Sequence, residues 1–107
     1  MMNPQNIFSK IPSDLTEEAF EEIIRNKSFT LERIISKGHA TPEGEWYDQD
    51  KNEWVMLLKG RAGLLIEGEK EIKTLQPGDY MYLPVHVRHR VEWTDPEEET
   101  IWLALHC

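Results

Sequence analysis

Residues 78–93, GDYMYLPVHVRHRVEW, constrain the fold more tightly than any other stretch of the chain. Pro77, Gly78 and Asp79 are turn formers and Tyr80–Leu83 is rich in strand-favouring residues. Pro84 ends that run because proline donates no ladder hydrogen bond. A second strand starts near Val87. Alternation over residues 87–93 places Val87, His89, Val91 and Trp93 on one face and Arg88, Arg90 and Glu92 on the other. His89 is then expected to point inward among apolar neighbours, as a hydrogen-bonded core residue or as a ligand.

The rest of the chain after Asn26 has the same character, with turn residues recurring about every eight to twelve positions, the spacing of a sandwich or small barrel. Residues 29–36 read as a strand, 38–44 (GHATPEG) as a loop, and 46–58 as a strand broken by the polar patch 48–52 and ended by Gly60. Residues 62–66 and 70–75 form a hairpin across Glu67, Gly68 and Glu69, residues 95–99 a surface loop, and residues 100–106 the last strand. Ahead of this β region, residues 6–12 read as an extended lead-in and residues 14–25 as a helix. Asp14 and Glu17 fit a capping box, and Leu15, Ala19, Phe20, Ile23 and Ile24 form an apolar stripe. The acidic face of that helix (Glu17, Glu18, Glu21, Glu22) is expected simply to be solvated. Residues 1–28 are thus expected to pack as a segment and helix against a barrel formed by residues 29–107.

A chain of 107 residues is one domain with a single modest core. Twenty acidic against twelve basic residues give a net charge of −8, which disfavours nucleic acid and anionic membrane surfaces alike. No apolar run approaches the roughly 20 residues of a spanning helix, and the first residues, MMNPQNIFSK, lack the apolar core of a secretory signal. The single cysteine, Cys107, leaves no internal disulfide, so a reducing cytoplasm is the expected compartment.

Glu53 is the second residue that calls for chemistry. Over residues 53–58 alternation puts Glu53 with Val55 and Leu57, and Trp54 with Met56 and Leu58, so both faces are apolar and the strand is expected to be central. An unpaired carboxylate there is costly, and Glu53 therefore requires the solvent mouth, a cation, a metal or a donor. Histidine with carboxylate suits a divalent first-row metal.

Glu53, six intervening residues and Gly60, followed by QPGD, Gly78, five residues, Pro84 and His89, resemble the two sequence motifs of the cupins. The resemblance covers about residues 29–106 and implies a mainly β fold: a small antiparallel jelly-roll barrel, here with one N-terminal helix. It also implies a central pocket, and small cupins often pair as homodimers. The chain departs from the motifs at Tyr47 and Gln49, where cupins usually carry histidines, and at His86 and Trp93, where they usually carry glycine and asparagine. His86 lies three residues before His89 and is expected to compensate, giving a site of His89, Glu53, His86 and Gln49. Such donors suit zinc, iron, nickel or manganese, and the alternative is a metal-free pocket with Glu53 and His89 hydrogen-bonded. Asp48 and Asp50 are further oxygen donors nearby.

Glu53 or Tyr47 would move protons in a catalytic version of this site, and Trp46 and Trp93 flank it as expected pocket walls for a small ligand. His39 is expected to be a solvated loop residue. His106 shares the parity of Trp102 and Ala104 but is expected at an edge or surface. Arg88 and Arg90 are expected to pair with Glu92 or another surface acid. Three functions follow: a metal-dependent enzyme acting on a small polar molecule, a non-catalytic binding or sensing module without a metal, or a structural domain.

Overall fold

A computed structural model describes residues 2–107, and every regular element in that range is a β-strand. In chain order these are β1 (Ala19–Arg25), β2 (Thr30–Ser36), β3 (Glu53–Lys59), β4 (Ala62–Ile66), β5 (Lys73–Leu75), β6 (Tyr80–Leu83), β7 (His89–Thr94) and β8 (Thr100–His106). They form a five-stranded sheet, β1-β2-β8-β3-β6, and a three-stranded sheet, β5-β4-β7, with every pairing antiparallel. The inner faces meet in one core, where Val55, Leu57, Leu83, Trp102 and Ala104 of the larger sheet lie with Ala62, Leu64 and Leu75 of the smaller. Each large apolar side chain so buried contributes about 1.5–3 kcal/mol. The two-sheet barrel expected from the turn spacing is therefore present, with β3 between β8 and β6.

The helix expected over residues 14–25 is absent. Asp14 does accept hydrogen bonds, but from the backbone N–H and hydroxyl of Thr16 in a local turn. From Ala19 the chain runs extended as an edge strand on β2. Phe20, Ile23 and Ile24 favour a pleated ladder as well as they fit a helical stripe, and the open edge of β2 outweighs the weak local preference. A bulge between Glu22 and Ile24 resets the alternation. Among the described residues no helix is long and apolar enough to cross a membrane.

The lead-in before β1 is held by Arg33 on the outer face of β2. Its guanidinium donates to the carbonyls of Ile7 (2.9 Å) and Ser9 (2.6 Å) and pairs with Glu21 (2.8 Å). Buried arginine with this many acceptors is stable because every displaced water contact is replaced.

A second bulge corrects the reading of β7. Leu64 pairs with Val91 but Gly63 pairs with Trp93, so Glu92 is an extra residue and Trp93 moves to the face opposite His89. Trp93 covers Gly63 there, where an added Cβ would meet its indole Nε1 and lie 2.8 Å from Ile72 Cγ2.

Gly60 and Gly68 test the turn geometry. Both have positive φ, +87° and +91°, but a Cβ on Gly60 would press on Thr100 Oγ1, come within 2.7 Å of Thr100 Cα and lie 2.9 Å from the Glu99 carbonyl, while one on Gly68 meets nothing. Gly60→Ala is expected to destabilise by about 3 kcal/mol or more and Gly68→Ala by only about 1–2 kcal/mol, read by urea unfolding. Equal losses would show that the β3–β4 turn is not packed against residues 99 and 100.

Candidate functional site

Glu32 on β2, Glu53 on β3 and His106 on β8 share the inner face of the larger sheet. Glu53 is the direct register partner of His106, and Glu32 stands opposite Ala104. His89 opens β7 on the facing wall, its backbone paired in both directions with Tyr47 at 2.8 and 3.1 Å. These five side chains, with Glu18 and Gln49, supply the polar lining of a cavity of about 80 Å³. Its floor is apolar, formed by Val55, Leu64, Leu83 and Trp102, all buried, while the exposed rings of Phe20 and Tyr47 stand at its rim.

Glu53 and His89 are 7% and 5% exposed, so this pair is almost wholly removed from bulk water. His89 Nδ1 lies 2.9 Å from the Val87 carbonyl, which can only accept, so Nδ1 carries hydrogen and donates. That fixes the ring so that Nε2 faces Glu53 Oε1 at 3.3 Å. Burial, the largest effect, pushes the His89 pKa down. The hydrogen bond to Glu53, the Val87 carbonyl and the Glu53 charge together outweigh it, and the net shift is upward. A proton is therefore held between the two groups at higher pH than on a free histidine.

Tyr47 stacks on His89, with ring centroids 5.6 Å apart and planes at 27°. Burial first, then the nearby charges of Glu18 and Glu53, raises its phenol pKa. At neutral pH Tyr47 is thus a hydrogen-bond donor and not a base. Gln49 enters the cavity as expected, its Oε1 3.1 Å from His106 Nδ1.

Other expected site residues lie elsewhere. His86 is exposed and outside the cavity, because it occupies the left-handed region at φ +61° in the turn after Pro84. Its Nδ1 sits 2.7 Å from Asp48, and its backbone N–H donates to Gln49 at 2.9 Å. It pins the loop that carries Gln49 without reaching the cavity. Trp46 lies under the guanidinium groups of Arg88 and Arg90, each 5.8 Å from its ring, and Trp93 covers Gly63, so neither tryptophan walls the cavity. As expected, Arg88 pairs with Glu67 at 2.9 Å and Arg90 with Glu92 at 3.0 Å, and Arg90 also donates to the carbonyls of Thr41 and Glu45. His39 is a structural tie between Lys37 N–H and the Thr16 carbonyl.

His106, expected at an edge or surface, is a cavity residue. Its Nε2 lies 2.9 Å from Glu32 and 3.9 Å from Glu53 Oε2. Strand parity with Trp102 and Ala104 carried this information, and its position near the chain end concealed it. Glu32 could have been found by its alternation with Ile34. Glu18 carries no strand signal, since it precedes β1.

Among the described residues no three histidine, cysteine or carboxylate side chains converge on a point that could hold a metal. The separation of His89 Nε2 and Glu53 Oε1 is that of two ligands about 2.1 Å from one ion. His106, however, turns its Nε2 to Glu32, and His86 lies outside the cavity. The donor set therefore does not fit the expected four-ligand site.

The family model for the cupin domain matches residues 33–106. A crystal structure from Ralstonia eutropha JMP134, described as that of a candidate mannose-6-phosphate isomerase, superposes with a TM-score of 0.95 at 43% identity, covering 99% of this chain and 98% of that one. An RmlC-like cupin from Desulfovibrio desulfuricans (TM-score 0.75, 14% identity, 99% and 97% covered) and TT1209 from Thermus thermophilus (TM-score 0.79, 13% identity, 99% and 97% covered) share the fold. No curated protein matches the chain. The two-sheet barrel, the family match over most of its length and the agreement with the Ralstonia structure establish that the chain belongs to the cupin family.

Proposed function

We propose that the chain binds a compact polar molecule in the barrel cavity and transfers a proton on it through Glu53 and His89. The observation that supports this most is the buried pair itself, a carboxylate and an imidazole 3.3 Å apart on opposite walls of an open-mouthed cavity. Oε1 of Glu53 faces His89, while Oε2 has only His106 at 3.9 Å and is available to accept a proton from a substrate carbon or hydroxyl. The charge of His89 stabilises that carboxylate, and the neutral Tyr47 phenol at the rim can donate to a substrate oxygen. Proton removal next to a carbonyl, and its return to the neighbouring carbon, is chemistry that such a pair can perform. The description of the Ralstonia protein as an isomerase agrees with it.

Two expectations are refined by this reading. Cupins often bind a metal, but the residues in this cavity do not form the expected ligand set, and no step above uses one. A phosphate-bearing substrate, such as the Ralstonia description names, would find no lysine or arginine in the cavity lining.

Titration calorimetry with small polyols, hydroxycarbonyl compounds and amines is expected to find a ligand of unit stoichiometry. Glu53→Gln should weaken its binding about tenfold or more. Deuterium entering a bound hydroxycarbonyl compound from solvent, followed by NMR and abolished by Glu53→Gln, would report the transfer. Binding without exchange would leave a sensing module, and binding indifferent to Glu53→Gln would overturn the reading.

The homodimer expected from the sequence belongs to the same proposal. Tyr80 and Tyr82 are exposed on the free edge strand β6, beside Trp54 and Met56, which supports a covered face. Light scattering is expected to give twice the chain mass, and a monomer at tens of micromolar would contradict it.

A further inference from the structure

We propose that the molecule bound here is a short-chain aliphatic hydroxycarbonyl compound, held with its oxygens at Glu53 and a plain alkyl end on the apolar floor. This rests on the reading above and names its substrate class. Strand register divides the cavity into two levels. Glu53 and His106 are direct partners at one end of β3 and β8, and His89 opens β7 on the facing wall. Two residues further in, the same inward faces carry Val55 on β3, paired with Ala104, and Val91 on β7, paired with Leu64. On β2 the step inward from Glu32 is Ile34, opposite Trp102, while the Glu32 carboxylate reaches His106 at the outer level. At roughly 3.3 Å per residue, the apolar level lies about 7 Å below the polar one.

The apolar level is part of the cavity, since Val55, Leu64, Val91 and Ile34 line its open space. Water needs several polar partners, which these side chains do not supply, and an unfilled apolar space forfeits packing contacts. An alkyl group fills it and leaves no polar atom unpaired. A hydroxyl in its place would be buried without a partner, so a sugar or other polyhydroxylated chain is disfavoured at this level. Volume sets the length of the tail. A cavity of about 80 Å³ has about half the room of an apolar cavity that holds benzene, so it takes about three or four non-hydrogen atoms. The carbonyl carbon and about two or three tail carbons use that room, and the hydroxyl end stays at the mouth beside Glu53 and Tyr47.

Probes that share a hydroxymethyl ketone head and differ only in the tail test this. By NMR titration of the intact protein, hydroxymethyl ethyl ketone is expected to bind about tenfold tighter than dihydroxyacetone, in which a hydroxyl replaces the terminal methyl. From the methyl through the ethyl to the propyl ketone, affinity should rise about fourfold per carbon, and it should fall again at the hexyl ketone, whose tail exceeds the floor. The tail methyl of the propyl ketone should show nuclear Overhauser contacts to the methyls of Val91 and Leu64. Val55→Ile adds one methyl to the floor and should weaken the propyl ketone about fivefold more than the methyl ketone. Three results would each overturn the inference: dihydroxyacetone binding as tightly as the ethyl ketone, affinity still rising at the hexyl ketone, or a folded Val55→Ile protein that treats propyl and methyl ketones alike. If the ketones bind in a Glu53-dependent way whatever their tails, the functional reading stands without it; if no probe responds to Glu53→Gln, that reading falls as well.

Discussion

A carboxylate in the middle of a β-barrel is the constraint on which the rest of this molecule depends. Glu53 begins β3, flanked by β6 and β8, and is almost fully buried. Desolvating that charge without a partner would cost several kcal/mol, a large share of the net stability of a small domain. The facing sheet answers with His89, whose ring is fixed by the Val87 carbonyl so that only one nitrogen can meet the acid. The Tyr47 bridge, the turn after Pro84 and the clamp of His86 on Gln49 then hold the loop at the mouth close to that pair.

The same geometry gives the cavity its chemical character. Polar groups come from β2, β3, β7 and β8, while the floor between them is core. A low-dielectric floor strengthens the pairing of Glu53 with His89 and raises the cost of every carboxylate left over. Within one family fold, the identity of a few inward side chains sets the character of such a cavity.

Much of this was legible in the sequence, and the failures share physical causes. Alternation correctly turned Glu53 and His89 inward because each opens a strand whose next residues, 54–56 and 90–91, continue on an uninterrupted pleat. It failed for Trp93 because Glu92 is an extra residue in the ladder, which nothing in HRVEWT announces. Residues 19–25 satisfy helical and strand patterns together, and only the unpaired edge of β2, a tertiary fact, decides between them. His86 was placed by its nearness to His89 in sequence, but a positive φ in the intervening turn sends it outward. His106 was legible by parity with Trp102 and Ala104. Its partners, Glu32 and Gln49, lie 74 and 57 residues away, beyond any local pattern.

The central claim is that His89 holds a proton against buried Glu53, and the pH dependence of stability tests it most directly. Because the folded-state pKa of His89 is raised, its contribution is fully present below the unfolded value of about 6.5 and is lost as pH rises through the folded value. Urea unfolding of the wild type and of His89→Gln, from about pH 6 to pH 9, should show a stability difference greatest at the acid end and shrinking as pH rises. A difference that stays constant, or grows toward alkaline pH, would contradict the account.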